Sequence, residues 1–266
     1  MKKANKKVAV VTGGSSGIGK ATAEYFADKG WVVYELSRRE CDNDRVTHIT
    51  ADVTDEQSLK AAFESIYSRE GRLDLLVNNA GFGISGAVEL TGIDEAKKQL
   101  DVNFFGTVRS IQQALPFIRK TGGGKIINLS SVAAPLSIPF QAFYSCSKSA
   151  INALTLALAN ELRPFGISVC AVMPGDVSTG FTDAREKSQD DGTLYGDTIK
   201  KSVAVMEKDE RGGMSPLVVA KTIYKASRRK HPKPLYTAGG KYKIFVVLAK
   251  ILPARLSNRI VGMLYC

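Results

Sequence analysis

Val8-Ala9-Val10-Val11-Thr12 runs directly into Gly13-Gly14-Ser15-Ser16-Gly17-Ile18-Gly19, and a segment from Lys20 to Lys29 with Ala21, Ala23, Tyr25, Phe26 and Ala27 follows before Gly30. The first piece is a continuous apolar run of strand length, and the last has helical spacing and a glycine stop. A strand, a glycine loop and a helix in that order constrain the chain strongly. Backbone N–H groups at the helix N-terminus face outward with unsatisfied donors, and glycines let a phosphate approach them. Gly13, Ser15, Ser16, Gly17, Ile18 and Gly19 are therefore candidate ligands for a dinucleotide phosphate.

The pattern then repeats. Trp31 to Leu36 predicts a second strand, Val46 to Thr50 a short third, and Thr54 to Tyr67 a helix with acids in its first turn. Leu73 to Val77 predicts a fourth strand running into Asn78-Asn79-Ala80-Gly81, and Asp94 to Ile118 one long helix. Gly122-Gly123-Gly124 breaks that helix before a fifth strand, Lys125 to Ser130, and Ile167 to Met173 predicts a sixth, ending in Pro174-Gly175. Strands alternating with helices imply an α/β chain whose parallel sheet is covered on both faces. No repeat or low-complexity linker divides it, so residues 1–240 read as a single domain and 241–266 as its C-terminal helical extension.

The second strand ends in Ser37-Arg38-Arg39. A site that binds a free ribose 2′-hydroxyl places an acid there, and one that accepts a 2′-phosphate uses arginine. The pattern favours NADP(H), with Ser37, Arg38 and Arg39 as ligands. Glu35 lies too early in the strand, and on the wrong alternation, to serve the ribose.

Tyr144 and Lys148 stand four apart in a segment whose continuation has helical spacing, so they share a helix face. A free phenol titrates at about 10. A neighbouring ammonium favours the phenolate, and the expectation is a lowered phenol able to act as acid and base near neutrality. Ser131 follows the fifth strand, where its hydroxyl could bind the same substrate oxygen.

Composition excludes other classes. At 44% hydrophobic and 24% charged, the chain of 266 residues can build a sizeable core. Cys41, Cys146, Cys170 and Cys266 have no paired spacing and no histidine neighbours, so no metal site or disulfide framework is expected and a reducing, cytoplasmic setting is the default. The N-terminus lacks the apolar core of a signal peptide, and no 18-residue apolar run exists. The net charge of +11 is concentrated: Lys221 to Cys266 holds eleven Lys or Arg and no acid. His48 and His231 have no partner that the sequence suggests.

Thr12-Gly13-x3-Gly17-Ile18-Gly19, Asn78-Asn79-Ala80-Gly81, Asn103, Ser131, Tyr144-x3-Lys148 and Pro174-Gly175-x3-Thr179 occur in order, with twelve residues between Ser131 and Tyr144. Over roughly residues 6–240 the chain resembles the short-chain dehydrogenase/reductase family. The ordered set is far more specific than any one motif, and the spacing selects Ser131 over Ser130. The resemblance implies a Rossmann-like doubly wound sheet of about seven strands. It implies a tetrad of Asn103, Ser131, Tyr144 and Lys148. The tyrosine would exchange the proton while hydride passes between nicotinamide and substrate carbon. The lysine would tune the phenol and hold the ribose, the serine would orient the substrate oxygen, and the asparagine would keep a water in a proton relay. It further implies that Asn79, Ala80 and Gly81 lie along the cofactor, Asp52 and Val53 near adenine, and Pro174, Gly175, Val177 and Thr179 near the carboxamide. Dimers or tetramers formed through the helices containing Asn103 and Tyr144 are the family's habit.

Around the expected pocket, Phe82, Leu136, Phe140, Phe143 and Phe181 are apolar and few charges intrude, which suits a bulky hydrophobic alcohol or ketone. Gly180 to Ser215 reads as a long, polar, irregular segment of the kind that forms a mobile lid. The Asn79–Glu89 and Pro139–Tyr144 stretches are similar to the 17β-hydroxysteroid and retinol dehydrogenase branch. That similarity implies a steroid or bile acid first, and a long-chain acyl ketone or retinoid as the alternative. A non-catalytic dinucleotide-binding protein is a further alternative, which an intact tetrad disfavours.

After a last strand near Leu235-Tyr236-Thr237, the extension predicts two short amphipathic helices, the second beginning at Pro253. Their apolar faces in basic, acid-free surroundings resemble an interfacial membrane anchor. A packed cover over the pocket and a subunit contact are equally open. The basic residues match no nucleic-acid-binding module, and no nucleic acid is expected.

Overall fold

The computed structural model describes residues 6–40, 43–188 and 194–265; Cys41 and Cys266 lie outside them. The first half alternates as expected: β1 (Val8–Thr12), α1 (Gly17–Asp28), β2 (Val32–Ser37), β3 (Thr47–Thr50), α2 (Glu56–Glu70), β4 (Leu75–Asn78) and β5 (Ile84–Ser85). Then come α3 (Ile93–Leu100), a π turn over Asp101–Phe105, α4 (Gly106–Lys120), β6 (Gly124–Leu129), α5 (Ala142–Glu161) and β7 (Ile167–Pro174). The chain ends with β8 (Glu186–Lys187), α6 (Thr198–Arg211), α7 (Pro216–Arg228), β9 (Leu235–Ala238), α8 (Gly240–Ile251) and α9 (Ala254–Tyr265).

Seven strands form one parallel sheet in the order β3-β2-β1-β4-β6-β7-β9. One face is covered by α2, α4 and α5 through Leu59, Phe63, Ile111, Ile118 and Leu158; the other by α1 and α7 through Phe26, Val219 and Ile223. Both faces being dry explains why the central strands are unbroken Val, Ile and Leu rather than alternating. The strand order reverses between β1 and β4, which opens a crevice at their C-terminal ends. The glycine loop, the Asn78–Gly81 turn, Ser131 and Pro174-Gly175 all follow strands that end there.

Local chemistry sets the boundaries. Asp55 caps α2 by accepting from the Gln57 and Ser58 amides, and Gly71 closes it at φ +67°. Ser215 caps α7, with Pro216 at its first position.

Two expectations need correction. The helix expected over Asp94–Ile118 is interrupted by the π turn, which places one extra residue in a turn at Asn103. The segment from Gly180 to Ser215, expected to be irregular, contains α6 and the strand β8. That strand pairs in parallel with β5 through Ile84–Glu186 and Ser85–Lys187; residues 189–193 of the segment lie outside the described residues.

Candidate active site

The glycine loop is built to exclude side chains. Gly13 and Gly17 have φ of +65° and +53°. A Cβ on Gly19 would lie 2.2 Å from the Gly13 carbonyl oxygen. The loop is braced from β4: Thr12 Oγ1 accepts from the Asn79 and Ala80 amides at 3.0 and 3.2 Å, and Asn79 Nδ2 donates to the Gly13 carbonyl at 3.0 Å. Asn79 therefore holds the loop as well as bordering the crevice. At the start of α1, Ser16 makes no side-chain cap and the first turn carries no acid, so the free amides leave a positive helix end at the crevice. Ser15 is half-buried and Ile18 packs partly into the core beneath. Thr179 stands over Gly17, its Cβ 3.4 Å from the position a Gly17 Cβ would take. A dinucleotide phosphate fits this cradle.

At the end of β2, the Ser37 hydroxyl donates to the Arg39 carbonyl at 2.7 Å, and Arg38 extends into solvent 3.9 Å from Asp52. Asp52 orders its own turn, accepting from the Thr54 amide and hydroxyl. Val53 packs so closely on α4 that a Cβ on Gly106 would lie 2.8 Å from its Cγ2. Glu35 is fully buried beneath Gly14 and bonded to His48, the partner that the sequence did not suggest.

The structure brings Asn103, Ser131, Tyr144 and Lys148 together. Lys148 is 6% exposed, and its Nζ donates to the Leu129 carbonyl at 2.8 Å and lies 5.7 Å from the Tyr144 ring centre. Burial pulls this ammonium down to about 8. Ser131 hydrogen-bonds Tyr144 and accepts from the Ala133 amide. Ser130 turns the other way and donates to the Lys148 carbonyl, which separates the two adjacent serines as the spacing did. Asn103 is buried in the π turn. Its Oδ1 accepts from the Phe82 amide, its Nδ2 donates to the Phe82 carbonyl, both at 3.0 Å, and Gly81 passes against it. The asparagine thereby ties α4 to the turn after β4.

The expected lowering of the phenol is not met by the protein's own groups. Burial pushes Tyr144 up to about 12, and the Ser131 hydrogen bond only partly opposes it. Lys148 lies beside the ring, itself desolvated and donating one of its hydrogens to the Leu129 carbonyl, and at the phenol the loss of water dominates.

The apolar residues separate into distinct places. Phe181 lies 5.8 Å from the Tyr144 ring, at the reacting end. Phe82 presents its ring to Lys98, and Leu136 is half-buried in the turn after Ser131. Phe140, with φ +59°, packs away from Tyr144 on Tyr195 and α6. Phe143 does not face the site: one residue before Tyr144 on the helix, it points about 100° round. There it lines an apolar groove of about 450 Å³ with Ile93, Leu100 and Phe105.

Charge does intrude, contrary to expectation. Arg185 is 6% exposed, stands over the Phe181 ring at 5.8 Å, and pairs with Glu210. Its Nε and Nη1 have no hydrogen-bond partner among the described residues. Glu210 also accepts from Thr182 at 2.8 Å. Asp176, just past Gly175, accepts from the Tyr242 hydroxyl, and burial raises its carboxyl. All three charges act on the Tyr144 phenol, Arg185 lowering it and the two acids raising it. Tyr242 comes from α8 and packs on Gly175, where a Cβ would lie 2.2 Å from the ring. The extension thus forms a wall beside Pro174-Gly175.

A crevice with a phosphate cradle at one end and a Ser–Tyr–Lys group at the other defines a dinucleotide-dependent oxidoreductase fold. The chain belongs to the short-chain dehydrogenase/reductase family: the short chain dehydrogenase profile matches residues 7–190. It is 44% identical over 229 residues to the 3-ketodihydrosphingosine reductase of Bacteroides thetaiotaomicron, covering 85% of each chain. A short-chain dehydrogenase from Streptomyces avermitilis superposes with a TM-score of 0.82 at 31% identity, covering 91% of this chain and 92% of that one. A Burkholderia phymatum short-chain dehydrogenase/reductase in complex with NAD superposes at 0.80 with 25% identity, covering 93% and 94%. ElxO with NADP bound superposes at 0.73 with 28% identity, covering 90% and 99%.

Proposed function

We propose that this protein is an NADP(H)-dependent reductase of a long-chain ketone, 3-ketodihydrosphingosine or a close analogue. The observation that carries the catalytic reading is the half-buried Tyr144 held between buried Ser131 and Lys148 beside Asn103, at the open end of the glycine cradle. When bound, the nicotinamide supplies or accepts the hydride. Ser131 and the Tyr144 hydroxyl hold the substrate oxygen, and Tyr144 gives it the proton in the reducing direction. Lys148, poised at about 8, resupplies that proton and holds the ribose hydroxyls. Asn103 fixes the turn that borders them. Gly13, Ser15, Ser16, Gly17, Ile18 and Gly19 hold the pyrophosphate. Arg38 and Arg39 hold the 2′-phosphate, since no acid stands at position 37 to receive a free hydroxyl.

The named relative supports the substrate class. So does the charge at Tyr144: Glu210 and Asp176 suit the ammonium of an amino alcohol, and the unpartnered N–H groups of Arg185 suit its hydroxyl. A steroid or bile acid, the first expectation from sequence, is favoured by the aromatic edge of Phe181 alone. The apolar groove lined by α3, the π turn that contains Asn103 and Phe143 of α5 supports a homodimer or homotetramer formed on that side.

The test is NADPH oxidation with 3-ketodihydrosphingosine beside steroid, bile-acid and retinoid ketones, with NADH in parallel. Preferential turnover of the long-chain ketone, lost in Tyr144→Phe while NADPH still binds, is expected. Turnover confined to steroids would overturn the substrate, and an active Tyr144→Phe would overturn the mechanism.

A further inference from the structure

We infer that α8 and α9 form a docking surface for an anionic phospholipid bilayer. Only a narrow stripe of the two helices packs on the body of the protein, through Tyr242, Val246 and Val261. The remaining surface is unusually apolar. Nine of the eighteen exposed large hydrophobic side chains among the described residues lie between Ile244 and Leu264. The most exposed are Ile251 at 72% and Met263 at 70%. Single exposed hydrophobics are ordinary, but such a concentration on two adjoining helices marks a contact surface.

Charge identifies the occupant. Lys241, Lys243, Lys250, Arg255 and Arg259 are all exposed among these apolar residues, and no acid occurs from residue 221 to the end. A two-fold contact of this face with a second copy would set cations against cations with no carboxylate between them. An anionic headgroup layer supplies the missing charge, and the acyl boundary takes the apolar side chains. Each helix of twelve residues is about 18 Å long, too short for a bilayer core of about 30 Å. No helix among the described residues is long and apolar enough to cross a membrane. The helices therefore lie in the plane of the surface. Tyr242, which packs on Gly175 and bonds Asp176, ties that surface to the wall of the active site. A lipid-borne ketone would enter from the side that touches the bilayer. The bilayer contact itself does not depend on which ketone is reduced.

The experiment is co-sedimentation of the full chain with vesicles of phosphatidylcholine, alone or mixed with phosphatidylglycerol. Binding is expected only to the mixed vesicles, and to weaken as salt rises. Lys243→Gln with Lys250→Gln should weaken binding about twenty-fivefold, two cations at roughly fivefold each. Ile244→Ser with Ile251→Ser should abolish it. Both pairs are exposed, so melting temperature and cofactor binding should match the parent chain. Failure of the parent chain to bind phosphatidylglycerol vesicles overturns the proposal. So does a serine pair that splits an oligomer on size exclusion with light scattering while vesicle binding persists, since that assigns the face to a second copy.

Discussion

Lys148 should destabilise the fold it serves, and Lys148→Met should expose that cost. The ammonium is 6% exposed, and burial lowers it from 10.5 to about 8. That gap corresponds to about 3 kcal/mol of unfavourable burial when the group is charged. Methionine keeps the length of the chain and needs no proton, so the penalty disappears. The substitution also removes the bond to the Leu129 carbonyl, which costs about 1 kcal/mol. The net gain near neutral pH is about 2 kcal/mol, or about 5 °C in melting temperature for a chain of this size. The pH dependence has a definite sign. The folded-state value is depressed, so between about 8 and 10.5 the unfolded chain binds more protons and the parent protein gains stability as pH rises. The methionine variant has no such titration. Its advantage should therefore be complete below about pH 8, shrink above it, and reverse near about pH 10, where the lost hydrogen bond dominates. Thermal melts of both proteins across that range decide the matter, with turnover expected to vanish in the variant. A variant that melts lower at neutral pH, or a difference indifferent to pH, would refute the assignment of burial as the cause.

Arg38→Asp should lower kcat/KM for NADPH by about 10- to 100-fold and raise NADH use, because one charge-assisted contact to the 2′-phosphate is replaced by repulsion; equal loss with both cofactors would contradict it. Glu210→Gln should raise KM about tenfold for an amine-bearing long-chain ketone, but not for the same ketone without the amine. Gly175→Ala forces the Tyr242 ring aside and should cost about 1–3 kcal/mol, read as a lower melting temperature and faster proteolysis within α8 and α9. Tyr242→Phe keeps the ring and should lose less.

Order along the chain made the fold legible. The first, fourth and sixth of the expected strands ended in glycine, asparagine or proline turns, and those turns are among the ones the parallel sheet gathers at its C-terminal edge. Ser131, Tyr144 and Lys148 were legible because a twelve-residue gap and an i, i+4 spacing are local quantities. Phe143 was misplaced because proximity in sequence was taken for a shared face, while a helix turns adjacent side chains apart. The π turn at Asn103 escaped notice because one extra residue within a helix shifts the apolar phase too little to see in a single sequence. β5 and β8 are two residues each, too short for any periodicity.

The charged group at Tyr144 was hidden for a different reason. Arg185 and Glu210 are twenty-five residues apart, and Asp176 meets its partner Tyr242 sixty-six residues on. Their residue types, taken singly, describe an exposed polar loop, which is how Gly180 to Ser215 reads. Burial becomes tolerable only when the partners meet, because an isolated charge in that position would cost several kcal/mol. Such a pairing is a property of tertiary contact and leaves no mark on local composition. The same contact explains why the site is not a plain apolar slot. Among the described residues, two nitrogens of the guanidinium over Phe181 have no partner beside an otherwise aromatic wall. Buried donors without partners are expensive, so a polar group brought to this wall would find them ready. A purely hydrocarbon ketone would leave them unpaired. A head group bearing a hydroxyl would pair them.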